Sequence, residues 1–174
     1  MSRDFAIISP LVWRDLRLKP LGVDAILVYL FLHTSGQTSM SGCVFCPPGV
    51  ATTDLPLSDV QFASAMQSLE RVGLIEWDRE RHYVFIVDWY LHNKVSNAKW
   101  FKGVFLDIEK CPSPTIAAAA RRAAGVRELA WQEEQSSEKA KYRKIARRKA
   151  ELEALTESNY MAARPFVAST TPRR

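Results

Sequence analysis

Residues 57–90, LSDVQFASAMQSLERVGLIEWDRERHYVFIVDWY, constrain the fold more than any other stretch of the chain. Phe62, Ala65, Met66 and Leu69 recur at i, i+3, i+4 and i+7, which gathers them into one buried stripe on a helix. Ser58 is a good N-cap and Gly73 a good stop, so the helix spans about residues 58–72. Two β-rich runs follow, Leu74-Ile75-Glu76-Trp77 and Tyr83-Val84-Phe85-Ile86-Val87, separated by the charged tip DRERH. Their spacing predicts a hairpin.

The residues before this unit supply its partners. LVWRDLRL after Ser9-Pro10 carries Leu11, Val12, Trp13 and Leu16 at the spacing of a short helix that Pro20 ends. VDAILVYLFLHT, residues 23–34, is too apolar for a surface helix and reads as the centre of the core. SGQTSMSG is a loop, CVFC a short strand, and Pro47-Pro48 opens another short helix, PGVATTDL. Two helices joined by a tight turn and followed by a hairpin make a winged helix-turn-helix. The expected class is therefore mainly α with a small β-hairpin, in a winged-helix domain over residues 1–112.

Beyond it, Trp100, Val104 and Ile108 predict a helix ending before Pro112, and Ser113-Pro114 caps another, IAAAARRAAG, that Gly125 ends. SSEKAKYRKIARRKAELEALTES is rich in strong helix formers and predicts a long exposed helix. Tyr142, Ile145, Leu152 and Leu155 give it only a thin apolar seam, short of a coiled coil, which leaves a homodimer open. NYMAARPFVASTTPRR is expected to be disordered. Residues 113–174 thus form a helical, basic C-terminal extension.

Charge divides the chain in the same way. Residues 1–112 hold 11 Lys/Arg against 12 Asp/Glu, and residues 113–174 hold 13 against 7. The positive excess sits wholly in the extension, where Lys139, Lys141, Arg143, Lys144, Arg147, Arg148 and Lys149 fall within eleven residues that include no acid. Such clustering suits phosphate binding through counterion release. On the domain, helix 58–72 offers Gln61 and Gln67 for adenine edges, Ser64 for a base or phosphate, and Arg71. The hairpin tip offers Arg79, Arg81 and His82 as a wing, with Asp78 and Glu80 interleaved. Lys94, Lys99 and Lys102 add cations beyond the hairpin, two of them flanking Trp100. Each of these sets also reads as an ordinary solvated face.

Other chemistries find little support. Cys43-Val-Phe-Cys46 has no second paired motif, and on a strand its thiols point to opposite faces, so buried thiols are favoured over zinc. No nucleophile–base set, paired-carboxylate motif or G-x-x-x-x-G-K-[ST] loop occurs, so neither an enzyme nor a cofactor is expected. The longest apolar run covers residues 25–32, and the N-terminus lacks a signal pattern, so a soluble cytoplasmic protein is expected.

From Ser9 to about Pro114 the chain resembles the N-terminal winged-helix domain of phage replication initiator (replication organiser) proteins, relatives of DnaD-type primosome proteins. The resemblance rests on several features in order. They begin with Val12-Trp13, the apolar helix at 23–33, the Gly42 strand and the Leu57-Ser58 turn. Leu69-Glu70-Arg71-Val72-Gly73-Leu74-Ile75 follows, then aromatic strands ending at Asp88-Trp89-Tyr90, and after them His92-Asn93-Lys94 and a helix with a charged C-terminal end. It implies an origin-DNA binder that recruits the replicative helicase or its loader, in the host cytoplasm. Family members continue into a second helical or ATPase module, whereas only residues 115–174 follow here. A transcription regulator would share the fold, and a protein-interaction module that binds a host protein would need no DNA.

Overall fold

Val28 and Leu32 of helix α1 (Val23–Thr34) are completely buried, and Ala25, Tyr29 and Phe31 join them, as an apolar helix without a wet face requires. The computed structural model describes residues 6–47, 49–93 and 97–162, with the side chains of 151 and 154–162 outside the description. Helix α1 is followed by strand β1 (Cys43–Phe45), the short helix α2 (Val50–Asp54) and helix α3 (Asp59–Arg71). Strands β2 (Ile75–Asp78) and β3 (Tyr83–Ile86) come next, then a helical turn α4 (Trp89–His92), helix α5 (Ala98–Glu109) and helix α6 (Pro114–Ala162). The molecule is mainly helical with one small antiparallel sheet.

Helix α3 buries Phe62, Ala65, Met66 and Leu69, the stripe that the sequence spacing requires, and packs on α1. Its stop is also as expected. Gly73 takes φ +73, where a side chain would be strained, and the Leu74 amide donates to the Leu69 carbonyl at 3.0 Å. The hairpin β2–β3 forms with Ile75 opposite Ile86 and Trp77 opposite Val84.

The short strand read from CVFC is more than an isolated piece. β1 pairs with β3, Val44 opposite Val84, so β3 is the central strand in the order β1-β3-β2. Val84, Phe85 and Ile86 are all buried, and since neighbours on a strand point to opposite faces, the sheet is covered on both. Asp78 and Cys43 lie on the face that α5 and the start of α6 close. There Ser113 Oγ donates to Asp78 Oδ2 at 2.6 Å and the Ser41 amide donates to Asp107 Oδ2 at 3.1 Å. Gly42, at φ +81, lets Trp89 lie against the backbone, since a Cβ there would stand 2.5 Å from Trp89 Cγ.

Four local expectations are corrected. The segment after Ser9 is a 3-10 turn, Pro10–Arg14, that buries Val12 and leaves Leu11, Trp13 and Leu16 exposed. Asp88-Trp89-Tyr90 does not end a strand, because Trp89 and Tyr90 turn into α4 and are buried. Gly125 does not end a helix: α6 runs through it, with Ile116, Ala119, Ala120 and Ala124 docked in the core before it. Residues 159–162 of the expected disordered end are helical, and the rest of that end lies outside the described residues.

By contacts the chain forms two compact units, Met1–Ala130 and Trp131–Arg174. The first holds the core just described, including the opening of α6. The second consists, among the described residues, of the remainder of that helix. No described helix is long and apolar enough to cross a membrane.

Candidate nucleic-acid interface

Val60, Ser64, Gln67 and Arg71 line up along the exposed side of α3, at i, i+4, i+7 and i+11, opposite the buried stripe. Ser64, Gln67 and Arg71 therefore stand together as expected, and Val60, 80% exposed, joins them. Gln61 does not. Its Oε1 accepts from the Ser58 amide at 3.0 Å and the Ser58 hydroxyl at 2.8 Å, while the Gln61 amide donates back to Ser58 Oγ. Its Nε2 donates to Asp24 Oδ2 on α1 at 3.4 Å. This is a capping box, and the S-x-x-Q spacing at 58–61 was the signal for it. Asp59 is similarly occupied, accepting from Thr52 Oγ1 of α2 at 3.3 Å.

Arg79 and Arg81 at the hairpin tip are matched within the fold. Arg79 Nη2 donates to Glu70 Oε2 of α3 at 2.5 Å, and its guanidinium lies 4.4 Å from the centre of the Trp77 ring. Arg81 meets Asp78 at 3.6 Å and Glu80 at 4.0 Å. Asp78 is held below the usual carboxylate range, first by the Ser113 hydroxyl and then by the Arg81 amide. His82 occupies φ +57 at the tip, and its carbonyl accepts from the Cys46 amide at 2.8 Å, which draws the tip toward β1. Glu70, Glu76, Asp78 and Glu80 line the groove beside this tip together with Arg79 and Arg81, so the surface is mixed in sign.

Lys99 and Lys102 are exposed on α5, and Lys94 lies outside the described residues. Trp100 between the two lysines turns inward, edge-on to Tyr90 at 5.8 Å and to Phe101 at 5.4 Å. It is packing, not a stacking platform.

Several charged groups that sequence reasoning passed over have structural work. Arg17 bridges Asp15 and Asp88 and donates to the Gly73 carbonyl at 3.3 Å, pinning the turn after α3. Its hydrogen bonds hold the Asp15 carboxyl below its usual range. Arg121 reaches Glu109 at 3.8 Å, and Arg122 reaches Glu76 at 3.5 Å. Cys43 and Cys46 are buried free thiols, pushed up to about 12 and about 11 by burial, while Cys111 is half-buried. Among the described residues no group of three or more His, Cys, Asp or Glu side chains is placed to hold a metal ion.

The second unit differs. Every residue from 136 to 150 is exposed on helix α6, including Lys139, Lys141, Arg143, Lys144, Arg147, Arg148 and Lys149. Lys149 pairs with Glu153 at 3.8 Å. Lys139, Lys141, Arg143 and Lys144 have no ion pair with an acidic side chain among the described residues.

No protein-family model, curated protein or solved structure matches the chain.

Proposed function

We propose that this chain binds nucleic acid, and that the cations of residues 139–149 supply most of the attraction. The observation that carries the reading is their presentation: seven basic side chains within eleven residues, all exposed on one helix. In water such a run binds few small ions tightly, but a polyanion releases its condensed counterions on contact, and the gain grows with each phosphate neutralised. The helices and small sheet of the first unit are compatible with a winged helix, and in that reading the exposed α3 stripe of Ser64, Gln67 and Arg71 would face duplex DNA. The resemblance to phage replication initiators adds the role, that of docking near an origin and recruiting helicase-loading machinery.

A second reading has specific support. Gln61, Arg79 and Arg81 already have partners within the fold, and the α3 stripe carries one cation. That composition also suits a protein-interaction surface. Capture from cell lysate by the full-length chain, with and without nuclease, separates the two. Nucleic acid recovered in the untreated capture supports binding; a specific protein retained after nuclease, with no nucleic acid before it, supports the alternative.

A further inference from the structure

Helix periodicity sorts the cations of α6 into an arrangement more specific than a charged run. At about 100° per residue, Lys139, Arg143 and Arg147 form one row at i, i+4 and i+8. Lys141, Lys144 and Arg148 form a second at i, i+3 and i+7, displaced from the first by roughly 130°. Between the rows lies Ala140, whose side chain is too small to hold a surface away. The remaining side of the helix carries Tyr142, Ile145 and Leu152, 67%, 54% and 58% exposed, with Lys149 among them. The helix segment therefore has two cationic flanks, a narrow gap between them at Ala140, and a back that is apolar apart from Lys149.

We infer that residues 139–148 lie in the major groove of a duplex, with one row of cations on each of the two phosphate backbones that border it. This rests on the proposed nucleic-acid binding and specifies its partner and geometry. A helix with its side chains is about 10–12 Å across, close to the major groove's width of about 12 Å. A helix on one strand of a duplex, or along a single strand, could use only one flank and would leave the other cations facing solvent. Two flanks on opposite sides of a narrow strip match two walls of like charge. The strip holds no side chain able to read a base edge, so this segment binds without sequence preference and leaves selectivity to other surfaces.

The test neutralises the rows separately in the full-length chain, as Lys139→Gln/Arg143→Gln/Arg147→Gln and as Lys141→Gln/Lys144→Gln/Arg148→Gln. Glutamine keeps helix propensity, and circular dichroism confirms that α6 persists. Binding to a fluorescent duplex of random sequence is followed by anisotropy across a range of salt. Each triple variant is expected to lower the slope of log K against log salt by about 2.7, that is, about 0.9 per lost phosphate contact. The same duplex as a single strand should bind more weakly. If one row accounts for the whole loss while the other is silent, or if the single strand binds as tightly, the groove geometry is overturned while nucleic-acid binding stands. If both rows are silent, the attraction lies outside these cations, and if the native chain binds no duplex the binding function itself falls.

Discussion

Arg79 on the β2–β3 tip holds Glu70 on α3 at 2.5 Å while its guanidinium lies over the Trp77 ring. The contact ties the tip to the end of the helix that would face DNA, and it cancels a charge at the tip that binding could use. Replacing Glu70 with Gln should release Arg79 at little cost, within about 0.5 kcal/mol for so exposed a pair. If the tip reaches phosphate, the variant binds duplex more tightly and its salt slope steepens by about 0.9. Anisotropy titration checks this; unchanged affinity means the tip stays away from DNA.

Ser58 and Gln61 cap α3 reciprocally, so they should act on stability and not on recognition. Ser58→Ala is expected to cost about 1 kcal/mol in urea unfolding. Gln61→Ala is expected to cost about 0.5 kcal/mol. The double variant should lose less than the sum, because either change breaks the same box. A base-reading Gln61 would instead cost about 1–3 kcal/mol in affinity for a preferred site, with stability unmoved.

Gly125 lies inside α6, and a Cβ there would meet nothing within 4 Å. Gly125→Ala should therefore stabilise the chain by about 0.5–1 kcal/mol, the usual helix-interior difference. Thermal unfolding followed by circular dichroism measures it. A loss of stability would mean that the helix breaks at this residue.

Burial holds the His92 imidazole below its ordinary value, against the opposing pull of Asp88 and Asp15. The sign follows from linkage. The unfolded chain takes up the proton first, so this group's contribution is complete above its unfolded pKa of 6.5 and is lost as pH falls through the folded value. His92→Phe keeps an aromatic ring against His33, 5.0 Å away, and removes the titration. Urea unfolding at neutral and mildly acidic pH should show a smaller drop in the variant than in the native chain.

Much of the architecture was legible because it depends on near neighbours in sequence. The 62-65-66-69 stripe, the Ser58 cap and the Gly73 stop are local rules that tertiary packing did not override. Trp89 and Tyr90 were misread because an aromatic pair suits a strand as well as a buried helical turn; Gly42's close approach to Trp89 decides between them only in three dimensions. Gly125 misled for a related reason: a weak helix residue is carried through when Ile116, Ala120 and Ala124 are already docked. The candidate site was less legible. A pairing such as Arg79 with Glu70 depends on how the hairpin returns to α3, which spacing does not encode, whereas the exposed run on α6 needed only composition and period.

The central claim, that attraction for polyanions resides in residues 139–149, is tested most directly by the salt dependence of duplex binding. The native full-length chain is compared with one in which all seven cations are Gln. The native slope of log K against log salt should approach about −6, near 0.9 for each of the seven, and should nearly vanish in the variant. Equal slopes for the two proteins would contradict the account.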